Sequence, residues 1–180
     1  MTGKRIVLTG GPHAGKTTTL AEINKRGYPI VEESAILVIE ALHKTLGDYE
    51  ARMWRESHYS AFQALIGHRQ RDIEEKLEVK DKIFLDRGRI DNVAFGEYFD
   101  HPTSMENKIL ADTAQYDQVF LLELIEPFKE RQESGRIEDR RMAVGLQEQL
   151  FKTYTRYGFD VVRVPQMQVD KRVDFILNRC

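Results

Sequence analysis

The stretch LTGGPHAGKTTTL, residues 8–20, sets three glycines and a proline between an apolar run and a segment that reads as a helix. Upstream, RIVLT at residues 5–9 has the short apolar composition of a buried strand, and residues 16–25 contain neither glycine nor proline. Within this strand-turn-helix unit Gly10, Gly15, Lys16 and Thr17 complete the pattern G-x-x-x-x-G-K-T. The chemistry explains the pattern. Backbone N–H groups of the turn and helix start surround phosphate oxygens, glycine permits their close approach, and Lys16 brings positive charge to the β and γ phosphates. The Thr17 hydroxyl is placed to ligate Mg2+. Gly10, Gly11, Pro12, His13, Ala14, Gly15, Lys16, Thr17 and Thr18 are therefore the candidate nucleotide-binding residues. His13 occupies a variable position of the pattern, so a peripheral phosphate contact competes with no direct role.

Working outward, apolar strands alternate with longer periodic segments. YPIVEE reads as a weak second strand and is followed by a helix from Ser34 to about Lys44. WRESHYSAFQALIGHRQRDIEEKLE, residues 54–78, reads as one helix, since Phe62, Leu65, Ile66, Ile73 and Leu77 fall on one side. KIFLD at residues 82–86 reads as a buried third strand, with a helix through Asn92 to Phe99. A helix after Pro102, a fourth strand in DQVFLLEL, a periodic helix through Met142, Leu146, Leu150 and Tyr154, a fifth strand in GFDVVRVP and a short final helix complete the chain. Strands separated by helical lengths predict an α/β fold in three layers, about five parallel strands flanked by helices. The polar segment 128–141 interrupts this rhythm and is the candidate lid, and residues 1–180 read as one nucleotide-binding domain.

Composition narrows the partners. With 27 Lys or Arg against 29 Asp or Glu, the net charge of −2 gives no global attraction for a polyanion, and the arginines lack an aromatic-basic repeat, so nucleic acid is not the expected partner. No apolar run approaches the roughly 20 residues of a membrane span, and the start MTGKRIVLTGG lacks a leader-like block, which predicts a cytoplasmic chain. The one cysteine, Cys180, is the last residue and is expected to be an exposed thiol without a role. His43, His58, His68 and His101 show no H-E-x-x-H spacing and no cysteine partners, so transition-metal chemistry is not expected.

The remaining polar residues fall where phosphoryl transfer needs them. FLDRG ends the third strand with Asp86 and Arg87, and VEESA puts Glu32 and Glu33 just past the second. As a whole the chain resembles the P-loop NTPases and kinases, and within them the small AAA-type predicted ATPases related to the ribosylnicotinamide kinase domain of the bacterial NAD regulator. FLDRG resembles the Asp-Arg motif of nucleoside and nucleotide monophosphate kinases, and VEESA their acidic acceptor-site position. The arginine-rich insert and GFDVVRVP match the lid and adenine-side regions in order.

The resemblance implies ATP, with GTP as the alternative, together with Mg2+. It assigns Thr17 and Asp86 to the metal, Glu32 or Glu33 to the acceptor hydroxyl with Glu32 preferred, and Arg87 to the acceptor or transferred group. Arg131, Arg136, Arg140 and Arg141 become candidate clamps, Arg136 preferred for its neighbour Gly135, and Pro165 an adenine-side residue. The relatives often carry Asp-Gly-x-Arg in the insert, whereas this chain has ESGRIEDRR. The implied function is a kinase transferring the γ-phosphoryl group to a nucleoside-like hydroxyl. The alternative is a nucleotide-dependent regulatory protein with a protein or lipid partner. Against the catalytic roles, Asp86 could cap the next helix, the two glutamates could open a solvated one, and Trp54, Tyr59 and Phe62 could line an acceptor pocket or simply pack on the core.

Overall fold

The computed structural model describes residues 3–101, 103–128 and 139–180. Five strands, β1 (Lys4–Thr9), β2 (Ile30–Val31), β3 (Lys82–Asp86), β4 (Gln118–Leu122) and β5 (Val161–Val164), form one sheet in the order β2-β3-β1-β4-β5. Every pairing is parallel. Parallel neighbours require long crossovers, and the helices between the strands supply them. Leu8 lies level with Asp86 of β3 and Phe120 of β4, so three central strands end together and their following loops gather at one edge.

Side chains alternate across the sheet and divide the core. Ile6 and Leu8 of β1 point with Phe84, Phe120 and Leu122 into one layer, closed by Leu20 and Ile23 of α1 (Lys16–Lys25) and Val173 and Ile176 of α8 (Val169–Leu177). Val7 points to the other face with Leu85, Val119 and Leu121. That layer is closed by Ile90 and Val93 of α5 (Arg89–Tyr98) and Leu146, Leu150 and Tyr154 of α7 (Arg140–Arg156). Strands buried on both faces read as continuous apolar runs, which is why RIVLT and KIFLD are legible as strands. Cys180 packs half-buried against the α1–α8 layer and its thiol donates to Ile176 O, where the sequence suggested an exposed group.

The expected single helix over residues 54–78 is two. After α2 (Ser34–Leu46), α3 (Asp48–Ser57) ends at His58, whose φ of −123° and ψ of 45° leave the helical region, and α4 (Tyr59–Glu75) starts anew. Ser57 Oγ donates back to Met53 O at 2.7 Å, a local bond that competes with helix continuation. The change of direction lets Trp54 of α3 pack with Phe62 and Ile66 of α4 against Val38 of α2. A helical hydrophobic period persists across such a one-residue break, so the pattern alone does not reveal it. The remaining helix, α6 (Met105–Asp112), is capped by Ser104 Oγ, which accepts from Asn107 N at 3.1 Å. Among the described residues no helix is long and apolar enough to cross a membrane.

Candidate functional site

Residues 10–15 turn from the end of β1 into α1, at the carboxyl edge of the sheet. Gly15 caps the helix with φ 76° and ψ 25°, a left-handed conformation that disfavours any residue with a Cβ. A Cβ there would also lie 2.6 Å from the Arg172 guanidinium. His13 is left-handed as well, with φ 61°, its carbonyl accepting from Ile125 N at 3.2 Å and its ring set edge-on to Phe128 at 4.7 Å. Lys16 Nζ folds over the turn and donates to Gly10 O at 2.9 Å and Gly11 O at 3.1 Å. Burial, reinforced by the nearby Arg87 charge, pulls the ammonium down to about 8 despite Asp86, Glu33 and Asp91. An anion beside it would relieve that penalty.

Asp86 closes β3 and is buried, with Oδ1 lacking a hydrogen-bond partner. Burial raises its carboxyl to about 6, with Lys16 and Arg87 opposing. A buried carboxylate oxygen without a donor suits a metal or a metal-bound water far better than a helix cap. Thr17, in the first turn of α1, is exposed. A hard cation with oxygen ligands fits the Thr17 hydroxyl and Asp86 carboxylate as a donor set, which is the chemistry of Mg2+.

Arg87 takes φ 69° and swings its guanidinium into the middle of the site. Nε donates to Glu33 Oε1 at 3.0 Å, and Nη1 donates to Gly10 O at 3.2 Å and Asp91 Oδ1 at 3.0 Å. Its ring-side face covers Phe95 at 4.9 Å. Although burial works against the charge, Glu33, Asp91 and Asp86 hold the guanidinium above its ordinary value. Asp91 is in turn fixed by Thr9 Oγ1 at 2.7 Å, by Gly88 N at 3.0 Å and by the Tyr154 hydroxyl.

Beside Arg87 a cavity of about 270 Å³ opens between α2, α3, α4 and α5. Glu33, Arg55, Phe62, Gln63, Asn92 and Phe95 are among its lining residues. Glu33 faces this cavity, whereas Glu32, nearer the strand end and preferred from sequence, is exposed and lies outside its lining. The reason is the brevity of β2, which turns away after Val31 and gives Glu33 to the start of α2. Of the three aromatics, Phe62 lines the cavity. Trp54 packs on the Val38 cluster and stacks on His58 at 5.3 Å, and Tyr59 stacks on His101 at 3.9 Å.

The other expected residues are scattered. Arg140 opens α7 and pairs with Glu126 at 2.8 Å. Pro165 follows β5 directly and is exposed, next to Gln166, which exchanges two hydrogen bonds with Glu126. Arg131 and Arg136, and most of the candidate lid, lie outside the described residues. Two residues that touch the site were not among those expected from sequence: Asp91, which pairs with Arg87, and Arg172, which donates to Ala14 O of the turn. Asp91 had a local signal, three residues after Gly88 at a helix start, where a carboxylate can accept from the preceding backbone N–H. Arg172 had none.

A family described as AAA domain matches residues 5–172. No curated protein matches the sequence. Solved structures with the same fold include deoxyadenosine kinase from M. mycoides with dCMP and dCDP bound, 19% identical, TM-score 0.65, over 97% of each chain. Thymidylate kinase from Candida albicans is 13% identical, TM-score 0.65, over 98% of this chain and 90% of that one. The NadR protein in complex with NR is 14% identical, TM-score 0.64, over 98% of this chain and 50% of its own. The chain belongs to the AAA-domain family, with a P-loop NTPase fold related to that of nucleoside and nucleotide kinases.

Proposed function

We propose that this AAA-domain chain is a Mg2+-dependent kinase that transfers the γ-phosphoryl group of a nucleoside triphosphate, ATP by family resemblance, to a hydroxyl of a nucleoside-like small molecule. The observation that carries the reading is the shared wall. Arg87 touches the phosphate turn through Gly10 O and the acceptor-side carboxylate of Glu33, so donor and acceptor spaces meet at one guanidinium. A regulatory nucleotide switch has no need of a separate cavity on the far side of that residue.

In this reading Lys16 and the N–H groups of the turn bind the triphosphate; Thr17 and Asp86 would hold Mg2+, which would offset phosphate charge. The acceptor lies against Phe62 and Phe95 with its hydroxyl toward Glu33. Its oxygen forms the new bond to the γ-phosphorus as the bond from that phosphorus to the β-bridging oxygen breaks. Glu33 receives the hydroxyl proton, Arg87 steadies the oxygens of the moving group, and the nucleoside diphosphate leaves. The cavity volume is near the lower end for small-molecule sites, which suits one nucleoside-sized acceptor. The test is a screen of nucleosides, ribosylnicotinamide and nucleoside monophosphates with Mg-ATP, detecting both ADP and phosphorylated product by mass. A product whose formation survives Glu32→Gln and is lost in Glu33→Gln is expected. No product from a positively controlled screen, with nucleotide-dependent retention of a protein or lipid instead, would replace the kinase with the regulatory reading.

A further inference from the structure

Arg172, on α8, is 2% exposed, and a guanidinium so deep in a core is expected to meet a carboxylate. It meets carbonyls. Nη1 donates to Ala14 O at 3.0 Å and Thr19 Oγ1 at 3.3 Å, Nη2 donates to Met167 O at 3.4 Å, and Nε has no hydrogen-bond partner. Burial lowers the guanidinium from its ordinary value, and no carboxylate among the described residues offsets that cost. The charge is therefore incompletely compensated, and it sits directly behind the turn that carries the glycines.

The hydrogen bonds also have a direction. In a trans peptide the C=O and N–H of one unit point opposite ways. Drawing the Ala14 carbonyl back into the core turns the N–H of the same unit, that of Gly15, outward. Thr19 extends the pull, since its hydroxyl donates to Gly15 O at 2.8 Å, and this turns the Lys16 N–H outward too. Two anion donors are thus aimed by contacts on the hidden side of the turn. The same guanidinium reaches Met167, between β5 and α8, and so connects the turn to the segment after the fifth strand.

We propose that Arg172 is a positioning residue for the nucleotide phosphates, acting from behind the turn by orienting the Ala14–Gly15 peptide and by supplying a buried positive charge that a bound polyphosphate neutralises. This rests on the nucleotide-binding reading above. It makes Arg172 a determinant of affinity for the phosphate chain rather than for the base.

Calorimetric titration of the full chain and its Arg172→Lys, Arg172→Gln and Arg172→Met variants with Mg-ATP and with inorganic tripolyphosphate tests it. Gln and Met are expected to weaken both ligands about tenfold or more, the scale of one lost charge interaction, while Lys, which keeps the charge and a donor, stays within about threefold. Wild-type affinity in the Gln variant would overturn the proposal. So would a loss confined to ATP, which would place the effect on the base side through Met167, or a Lys variant as weak as Met. Wild type binding neither ligand would instead overturn the nucleotide reading itself. If the Met and Gln variants do not fold, arginine-labelled wild-type protein still decides the matter by NMR. The Arg172 Nε–H resonance, assigned by its loss in Arg172→Lys, should shift on adding tripolyphosphate, and an unmoved resonance at saturation refutes the proposal.

Discussion

Asp91→Asn isolates the support beneath Arg87. The carboxylate is 2% exposed and accepts from four donors, Thr9 and Arg87 on Oδ1, Gly88 N–H and the Tyr154 hydroxyl on Oδ2. Asparagine keeps the shape but converts one oxygen into an NH2 donor. Hydroxyls rotate to accommodate it; the other partners do not. With the amide nitrogen at Oδ1 it opposes the Arg87 N–H, and at Oδ2 it opposes the Gly88 N–H. Either orientation leaves a buried donor unsatisfied, costing about 1–3 kcal/mol, and the loss of charge takes one of two ion-pair partners from Arg87. We expect about 3 kcal/mol in all. For 180 residues at about 2.1 cal/mol/K each, that lowers Tm by about 8 °C. Urea and thermal unfolding of both proteins, without any ligand, provide the measurement. A loss below about 1 kcal/mol refutes the reasoning, as does an undiminished cost in an Arg87→Met background, where the pairing contribution is already gone.

Two further predictions concern the chemistry. Glu33→Gln should lower the turnover of a phosphorylated acceptor by about a hundredfold or more while Mg-ATP affinity holds within about threefold, and Glu32→Gln should do neither; equal losses in both, read by steady-state kinetics, would deny Glu33 its distinct place. Lys16 has its folded value lowered from 10.5 to about 8, so its buried charge costs stability below pH 8, and that cost fades between pH 8 and 10.5. Phosphate favours the charged form. Mg-ATP affinity should therefore be flat below pH 8 and about tenfold lower at pH 9 than at pH 7, with proton uptake seen in buffers of different ionisation enthalpy and absent in Lys16→Met.

How far the sequence reaches depends on the distance over which each signal acts. The turn at Gly10–Thr17 and the runs RIVLT, KIFLD and DQVFLLEL are legible because local composition determines them, and Asp86 inherits its place from the end of its strand. Glu32 and Glu33 are not separable, since a strand of two residues is too short to reveal which side chain faces inward. The break at His58 is hidden because apolar residues on both sides serve the same cluster. Arg172 is hidden more deeply, because its partner Ala14 is 158 residues away and no local pattern marks a helix residue that will press against a distant turn.

The position of β1 has a bearing on how the protein is made. Lys4 pairs with Lys82 and Ile6 with Gln118, so both edges of the first strand wait for partners synthesised much later. On a ribosome, the glycine turn emerges well before it has a platform, which β3 and β4 supply only once they have left the exit tunnel, and it has no backing from Arg172 until α8 follows. Such distant pairings slow folding and leave unpaired strand edges open to association with other chains. Nascent chains arrested before β4 should fail to be retained on nucleotide resin, and ligand added during synthesis should rescue folding only once α8 has emerged.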